Sequence, residues 1–409
     1  MAVNQQPLFN RIRDIFSNGF SVDWISAIYV GVTHFVTLLG APFAFYYAPA
    51  ELTPVIIAWI SVYFVFGAVS ITAYCHRLIT HQAAKDISLP VHLCFGFVGQ
   101  VLAMQGHIIR WSSNHVLHHG ADKSGKYLLD PYSATWFPKA WQNFIWSHTI
   151  SHLINHPDSE EKERAIAAKE KIKILRLQRQ LYVPLIVLWV YLTPFTVGYI
   201  LTGSLAGALG LLAASLVGMI LVQHNTWTVN SITHMWGFTQ GLHSSAVNNY
   251  VWLGPLGEGN HHADHHDCQT DYRNGFGWTG WLLDPTRYVL LSLRGVGLVK
   301  GLRRASKHVE SEIIARRRLR DLETKTSSTL WSLWEQKLVS AKADWLEKTR
   351  QWEQYRQQVK KLKKMSLPDF EFEQRINNLK AEIQLAKRNM KEARISFFET
   401  LSAYRQAAA

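Results

Sequence analysis

Four long uncharged stretches interrupt an otherwise polar chain. They cover residues 24–48, 53–73, 181–201 and 204–222. A helix needs about 20 apolar residues to cross the hydrocarbon core of a bilayer. The links inside each pair are only a few residues long. The pattern therefore predicts four transmembrane helices arranged as two hairpins, and it disfavours a soluble protein with buried core helices.

A fifth apolar stretch, residues 88–105, is interrupted by His92 and Gln100. These polar residues weaken its claim to cross the membrane. We expect a helix that lies at the membrane interface or dips into it.

The topology follows from the basic residues. Nearly all Lys and Arg residues lie in the long segments 74–180 and 223–409. The positive-inside rule therefore predicts that these segments and both termini are cytoplasmic. The first apolar stretch lacks a small-residue cleavage site, so we expect a retained span and not a signal peptide.

The last hundred residues have a different pattern, and we place a domain boundary between segments 1–300 and 301–409. Apolar residues recur there at alternating steps of three and four, which predicts a helix with one apolar seam. The first seam comprises Trp331, Trp334, Leu338, Ala341, Trp345, Trp352, Tyr355, Val359 and Leu362. The second comprises Phe372, Ile376, Leu379, Ile383, Ala386, Met390, Ala393 and Phe397. A turn around Ser366–Pro368 favours an antiparallel coiled-coil hairpin that packs on itself or on a second copy.

Charge changes the picture for this tail. Residues 301–409 contain 24 Lys/Arg and 14 Asp/Glu, so they carry +10 of the formal net charge of +13. The runs RRRLR at 316–320 and KKLKK at 360–364 are the densest. They raise the alternative of a contact with anionic lipid headgroups or with an acidic electron donor. A membrane-anchored body makes nucleic acid an unsuitable partner.

Histidines form a repeated pattern at the ends of the apolar stretches. H-x-x-x-x-H occurs once, and H-x-x-H-H occurs twice. On a helix, residues three and four apart share a face, so each H-x-x-H-H is expected to aim three imidazoles at one point. His76 and His81 are five apart, so we expect the helix to unwind between them. The candidate ligands are His76, His81, His115, His118, His119, His234, His262, His265 and His266.

Nine imidazoles exceed the four to six ligands of one metal ion and suit two ions. Ligation by nitrogen alone is compatible with Fe, Cu, Zn or Ni. No paired cysteines accompany the histidines, which excludes zinc knuckles and iron–sulfur clusters. Isolated histidines such as His34, His92, His107, His224 and His243 are expected to be hydrogen-bonded residues, not ligands.

At this point the chain resembles the membrane-bound fatty-acid desaturases, and the acyl-CoA Δ9 (stearoyl-CoA) type above all. The similar segments are HRLITH at 76–81, NHVLHH at 114–119, NTWTVNSITH at 225–234 and GEGNHHADHH at 257–266, followed by DYRNG at 271–275. The resemblance covers residues 24 to about 295. It implies an all-α integral membrane protein with four spans and a cytosolic helical cap that holds two metal ions.

The resemblance also implies the chemistry. Two iron ions would be held by the nine histidines, with Asn230 contributing through water, and no further catalytic residue is implied. O2 and two electrons would introduce a cis double bond, at Δ9, into a long-chain acyl substrate, and membrane lipid would surround the spans. Trp111 and Trp227 would line the substrate tunnel. A separate ferredoxin, rubredoxin or cytochrome would supply the electrons.

Two departures from the family pattern leave alternatives open. One extra residue stands in the last histidine segment, so His261 competes with His262 as a ligand. Ser113–Asn114 and Ile154–Asn155 occupy positions where the acyl-CoA enzymes carry basic residues. The acyl carrier therefore stays open among CoA, a carrier protein and a phospholipid.

Three other functions are alternatives for the whole chain. An acyl or alkane hydroxylase could use the same diiron site. A scaffold with a dead site is disfavoured because all nine ligands are present. A metal transporter usually places its ligands within the spans, whereas these histidines lie at or beyond the span ends.

Overall fold

The computed structural model describes residues 8–124, 130, 132–169, 173–249, 255–324, 328–364 and 370–408. It contains two compact units, Met1–Arg304 and Ala305–Ala409. The first unit contains the apolar helices and all nine candidate histidine ligands, and the second contains three basic helices.

Four helices of the first unit are long and apolar enough to cross a membrane, which confirms the predicted number of spans. They are Trp24–Tyr47, Ala50–Thr80, Lys173–Thr202 and Leu205–Met235. Asp23 and Gly203 mark two of their ends. The Asp23 carboxylate accepts a hydrogen bond from the amide of Ser26, and Gly203 adopts a left-handed conformation with a φ of 63° between the third and fourth spans. The protein is therefore an integral membrane protein built from two helical hairpins.

The second and fourth spans are longer than the apolar pattern predicted. Each has 31 residues, which corresponds to about 46 Å at the α-helical rise, against roughly 30 Å of hydrocarbon. Hydropathy marks only the apolar part, and the helices continue because the polar residues beyond it are buried against other helices. His76 and His234 lie on these extensions.

The end of the second span, Ser70–Thr80, is a π-helix. The amide of His81 donates to the carbonyl of His76, five residues earlier, at 3.1 Å. Residues five apart therefore stack above one another, and His76 and His81 share a face. The expectation that the helix unwinds between them was wrong, because the helix widens instead. Two further π-helical segments are His92–Gly99 and Val187–Leu192.

The fifth apolar stretch forms one arm of a broken helix. The arms Leu89–Ala103 and Ile108–Ser124 meet at an angle of 73°. Met104 and Gly106 have φ values of 48° and 85° and interrupt the helix between them. The second arm carries the H-x-x-H-H at 115–119.

Short elements complete the first unit. The other helices are Leu8–Ser17, Ala140–His148, Ser159–Lys169, His262–Asp267, Gly277–Leu282 and Pro285–Gly295, with 3₁₀ turns at Ala50–Leu52, Ile150–Leu153 and Pro255–His261. Six two-residue strands pair antiparallel: Ser21–Val22 with Ile154–Asn155, Asp86–Ile87 with Val299–Lys300, and Thr239–Gln240 with Val247–Asn248. These pairs tie loops together around the histidine-bearing helices.

The second unit contains the helices Lys307–Glu323, Ser328–Lys364 and Phe370–Ala408. The last two are antiparallel, because Trp345 packs on Phe397 while Trp331 packs on Tyr404. The two predicted seams face each other in this hairpin. The predicted turn at Ser366–Pro368 lies outside the described residues.

The helix Lys307–Glu323 was not predicted. Its Ala315, Leu319 and Leu322 belong to the same apolar core as Leu338 and Phe397. The run RRRLR at 316–320 is therefore not one continuous charged surface, because Leu319 faces the core and Arg317 is only 9% exposed. The helix was missed because its arginines mask a short apolar face.

Candidate metal centre

All nine predicted histidines are buried, and they converge in two groups. Within each group one ring nitrogen per residue lies within 4.8 Å of the others. The first group is His76, His81, His115, His119 and His265. The second group is His118, His234, His262 and His266.

Each H-x-x-H-H segment is divided between the two groups. His118 belongs to the second group, although its neighbours His115 and His119 belong to the first. In the other segment His265 belongs to the first group. The expectation that each segment aims three rings at one point was wrong, because the rings four residues apart converge, whereas the ring three residues after the first histidine belongs to the other group. The same two helices therefore contribute to both groups.

The rings of the first group are spaced like the ligands of one ion. The Nε2 atoms of His76 and His265 are 2.8 Å apart, those of His81 and His115 are 3.0 Å apart, and those of His115 and His119 are 3.0 Å apart. Two nitrogens at right angles about an ion, each roughly 2.1 Å from it, are about 3.0 Å apart. Five such nitrogens exceed the tetrahedral set of a structural zinc site.

The second group has the same spacing and carries its own orienting residues. The Nε2 atoms of His234 and His262 are 2.9 Å apart. Among the described residues, the Nε2 atoms of His118 and His266 are buried and have no hydrogen-bond partner. A buried nitrogen without a partner is costly unless something binds it. These residues therefore fit a metal ion.

Two aspartates hold the far sides of these rings. The Asp130 carboxylate lies 2.9 Å from His118 Nδ1, and the Asp122 carboxylate lies 2.9 Å from His266 Nδ1. Asp122 also accepts hydrogen bonds from the amide and hydroxyl of Ser245, and that hydroxyl lies 2.8 Å from His234 Nδ1. A partner on Nδ1 fixes the tautomer that leaves the Nε2 lone pair free for a metal. Sequence analysis missed these residues, although Asp122 follows His118 by one helical turn.

A buried ion-pair cluster supports the first group. The Arg77 guanidinium donates to Glu258 at 2.6 Å and to Asp284 at 2.7 Å and 2.9 Å. The other Glu258 oxygen lies 3.5 Å from His76 Nδ1. Burial raises the pKa of Glu258 to about 7 in spite of Arg77. The cluster joins the end of the second span to the segments that carry Glu258 and Asp284.

Burial also favours the neutral form that a ligand must have, except in His118, whose pKa the Asp130 carboxylate raises in spite of burial. Burial lowers the pKa of His81 to about 3, and the positive charge of protonated neighbours adds to the shift. The pKa values of His262, His265 and His266 are lowered well below the ordinary value for the same two reasons.

The structure distinguishes the two competing histidines of the last segment. His262 belongs to the second group, and His261 belongs to neither group among the described residues. The His261 ring lies against Gly275, where an added Cβ would meet ring atoms at 2.3 Å. Asn230, which was predicted to contribute through water, has its amide nitrogen 3.4 Å from His152 Nε2 and lines the cavity beside the first group.

A cavity of about 50 Å³ lies beside the first group. Its walls combine His76 and His115 with three apolar and seven other polar side chains, and Trp111 stacks on His115 with the ring centroids 5.0 Å apart. The lining residues are Ile71, Thr72, His76, Gln105, Trp111, His115, Tyr132, His152, Thr226, Val229, Asn230 and Glu258. Trp227, the other predicted tunnel residue, is not in the lining and stacks on His152 instead.

His152 and Tyr132 are cavity residues that sequence reasoning missed. Their rings lie with centroids 4.8 Å apart and planes tilted by 30°. His152 lies in none of the repeated motifs, so only its proximity to other histidines in the chain could have singled it out. Among the isolated histidines, His34, His92, His107 and His224 make hydrogen bonds as expected; for example, His92 Nδ1 lies 2.9 Å from the Tyr74 hydroxyl.

Fold and site together define a class: an all-helical integral membrane protein with two buried histidine groups that could each hold a metal ion. No family model matches the chain. Acyl-CoA desaturase 1 of Saccharomyces cerevisiae is 26% identical over 69% of this chain, which spans 54% of that relative, about half its length. Acyl-CoA desaturase of Cyprinus carpio is 31% identical over 61% of this chain and 72% of its own. Acyl-CoA Delta-9 desaturase of Acheta domesticus is 32% identical over 61% and 66%. The chain belongs to the acyl-CoA desaturase family, whose members are oxidoreductases.

Proposed function

We propose that this protein is a fatty-acyl desaturase that introduces a cis double bond at Δ9 into a long-chain acyl substrate. The observation that carries the proposal is the pair of buried histidine groups, the first of which borders a cavity with Ile71, Trp111 and Val229 in its walls. The similarity to a Delta-9 desaturase supports the position of the double bond.

The nine histidines would hold two iron ions, five nitrogens about one and four about the other. Bound iron supplies the O2 chemistry that removes two hydrogens from adjacent methylenes, with two electrons and two protons forming two waters. Unactivated methylenes offer no acidic proton and no leaving group, so acid–base residues alone are insufficient.

The protein's own residues would prepare the site. Asp122, Asp130 and Ser245 hold the Nδ1 sides of three rings, so that the Nε2 atoms point inward. Trp111, Ile71 and Val229 give the cavity apolar walls that exclude water and position the acyl chain. Asn230 lines the same cavity, and its side-chain amide would contact the metal through a water molecule.

The electrons would come from a separate protein, and both termini would be cytoplasmic. The basic second unit is suited to an acidic ferredoxin, rubredoxin or cytochrome by electrostatic steering. The apolar seams of its helices could also mediate association with a second copy of the chain.

The experiment that tests the proposal is a fatty-acid profile by gas chromatography–mass spectrometry. The full chain is expressed in a host that lacks its own desaturase, beside a His265→Ala variant. A new cis Δ9 mono-unsaturated acid in the wild type alone is the expected result. A hydroxylated acid would replace the proposal with the hydroxylase, because that reaction leaves oxygen in the product. An unchanged profile from iron-loaded protein supplied with each donor class would overturn both.

A further inference from the structure

The fourth span ends on an exposed tryptophan that is close to a candidate metal ligand. Trp236 follows His234 by two residues, so their Cα atoms are at most about 7 Å apart. His234 belongs to the second histidine group, whereas the Trp236 side chain is 50% exposed. Phe238, two residues further on, is exposed as well, and its amide donates to the carbonyl of Asn248 at 2.9 Å.

A neighbouring helix adds further apolar side chains. In the helix Ala140–His148, the residues Trp141, Phe144 and Ile145 are three or four positions apart and share a face. Trp141 and Ile145 are exposed, and the Phe144 and Trp236 ring centroids are 6.2 Å apart. This contact joins the two segments into one surface. We call Trp141, Phe144, Ile145, Trp236 and Phe238 the aromatic patch.

The aromatic patch lies outside the membrane. Trp236 stands 31 residues after Leu205, the first residue of the fourth span, which corresponds to about 46 Å of helical rise. The hydrocarbon core is roughly 30 Å thick, and a headgroup layer adds about 5–7 Å on each side. Trp236 therefore lies about 10 Å beyond the headgroups, where lipid does not cover it. A cluster of exposed apolar side chains in water marks a surface that binds another protein.

The charges around the patch suit an acidic partner. Residues 134–148 contain Lys139 and no Asp or Glu, and residues 236–249 contain no Lys, Arg, Asp or Glu. Lys139 is exposed at the start of the helix that carries the patch. The Asp267 carboxylate contacts the second segment, where it accepts hydrogen bonds from the amide of Leu242. These two segments therefore present an apolar surface with one cation and no acidic side chain of their own.

The route from the patch to the second histidine group is short. The hairpin that follows Trp236 includes Ser245, whose hydroxyl lies 2.8 Å from His234 Nδ1 and donates to Asp122. The Asp122 carboxylate in turn lies 2.9 Å from His266 Nδ1. A protein bound at the patch would thus be separated from these rings by few side chains.

We infer that the aromatic patch is the docking surface for an acidic one-electron carrier protein. Each reduced carrier gives up one electron there and leaves oxidised. Two such transfers supply the two electrons that desaturation consumes together with two protons and O2. The apolar centre holds the carrier, and the basic second unit attracts it from solution. The inference rests on the proposed function, because it assigns an entry point to the electrons of that reaction.

Binding of three carriers tests the inference without turnover. The full chain in nanodiscs is titrated with an acidic plant-type ferredoxin, a rubredoxin and a cytochrome b5, and dissociation constants are measured by biolayer interferometry. At least one carrier should bind the wild type saturably. The double variant Trp141→Ser, Phe238→Ser should bind it about ten-fold more weakly, because central aromatic side chains carry much of the affinity of an interface. Saturable binding by none of the three, or an unchanged dissociation constant in the double variant, would overturn the inference.

Trp281→Ser is the matched control. Trp281 is 56% exposed, against 57% for Trp141, and it lies on the helix Gly277–Leu282, outside the aromatic patch. It should bind the carrier within about two-fold of the wild type. Weakening equal to that of the double variant would assign the effect to apolar exposure in general. Dissociation of a wild-type oligomer in the double variant, measured by mass photometry, would assign the patch to a second copy of the chain. Either result would overturn the inference.

A small reductant separates docking from chemistry. Reduced methyl viologen needs no docking surface, so iron-loaded wild type and double variant should form equal amounts of mono-unsaturated product with it. Product driven by the carrier should fall about ten-fold in the double variant. Equal loss with both reductants would show damage to the site and would overturn the inference. If the wild type formed no product with any reductant, the proposed function would fail, and the dissociation constants would still decide the docking surface.

Discussion

At the scale of single residues, the two histidine groups differ in how their rings are held. Three rings of the second group have a partner on Nδ1, supplied by Asp122, Asp130 or Ser245. In the first group, His76 is the one ring that lies near a carboxylate of the described residues, that of Glu258 at 3.5 Å. The orientation of the second group therefore depends on polar neighbours, and that of the first depends more on close packing of the rings.

One histidine from each group tests whether both are needed. His118→Ala and His265→Ala should each abolish desaturation with little loss of expression, because each removes a nitrogen that adjacent rings cannot replace. Product formation and metal content by mass spectrometry measure the effect. The matched control is His243→Ala, since His243 is exposed and belongs to neither group. Full activity in both ligand variants would refute the site assignment.

Asp122 should matter through metal affinity. Asp122→Asn replaces the carboxylate that contacts His266 and Ser245, and loss of such a contact typically costs 10–100-fold in affinity. Metal retention during dialysis against graded chelator measures it. Asp86→Asn, at an exposed aspartate, is the control. Unchanged retention in Asp122→Asn would mean that packing alone orients His266.

At the scale of elements, the π-helix at the end of the second span decides the geometry of the first group. It brings His76 and His81 onto one face although they are five residues apart. The sequence alone could not predict this, because an α-helix and a π-helix have the same apolar composition over so few residues. Tertiary contacts, such as those of the buried Arg77, select between them.

Arg77 should therefore be a stability residue. Arg77→Met leaves Glu258 and Asp284 buried without their cation, and breaking such a pair costs about 3–5 kcal/mol. The thermal unfolding midpoint in detergent should fall clearly below that of the wild type. Arg294→Met, at an exposed position, should leave the midpoint unchanged. An unaltered midpoint in Arg77→Met would show that the cluster is not stabilising.

In the second unit, Trp345 lies in the seam between the two long helices. It is 2% exposed and contacts Phe397 and Phe398. Trp345→Ala should destabilise this unit by about 3–5 kcal/mol, the usual cost of removing a buried aromatic ring. Hydrogen exchange of residues 328–364 and 370–408 in the full chain measures the loss. Leu333→Ala, at a residue 70% exposed, is the control and should have little effect.

At the scale of the whole molecule, burial of so many imidazoles makes stability depend on pH. Burial lowers the pKa values of His262, His265 and His266, so the unfolded chain binds more protons than the folded chain below about pH 6.5. The stability of metal-free protein should be greatest above that pH and should decrease as the pH falls towards 5. Unfolding midpoints of chelator-treated protein at pH 8, 7, 6 and 5 test this, and a midpoint that rises on acidification would contradict it.

The sequence was most informative where one pattern dominated. Four uncharged stretches specified four spans, and the spacing of apolar residues specified two facing seams in the tail. The histidine motifs identified all nine rings that converge, but not their division into five and four. That division depends on how the helices Ile108–Ser124 and His262–Asp267 meet the ends of the second and fourth spans, and the third tail helix likewise depends on contacts between distant segments.

The fourth span is one uninterrupted helix from the apolar region to the rings it positions. Trp227, Asn230 and His234 therefore share a single helical register with the residues embedded in the membrane. One residue inserted into this helix on the N-terminal side of Trp227 would rotate all three residues by about 100° about the helix axis. It would also shift them by about 1.5 Å along the axis. The short link at Gly203 imposes no such register. Changes in chain length are thus compatible with the site at that link and incompatible with it along the span.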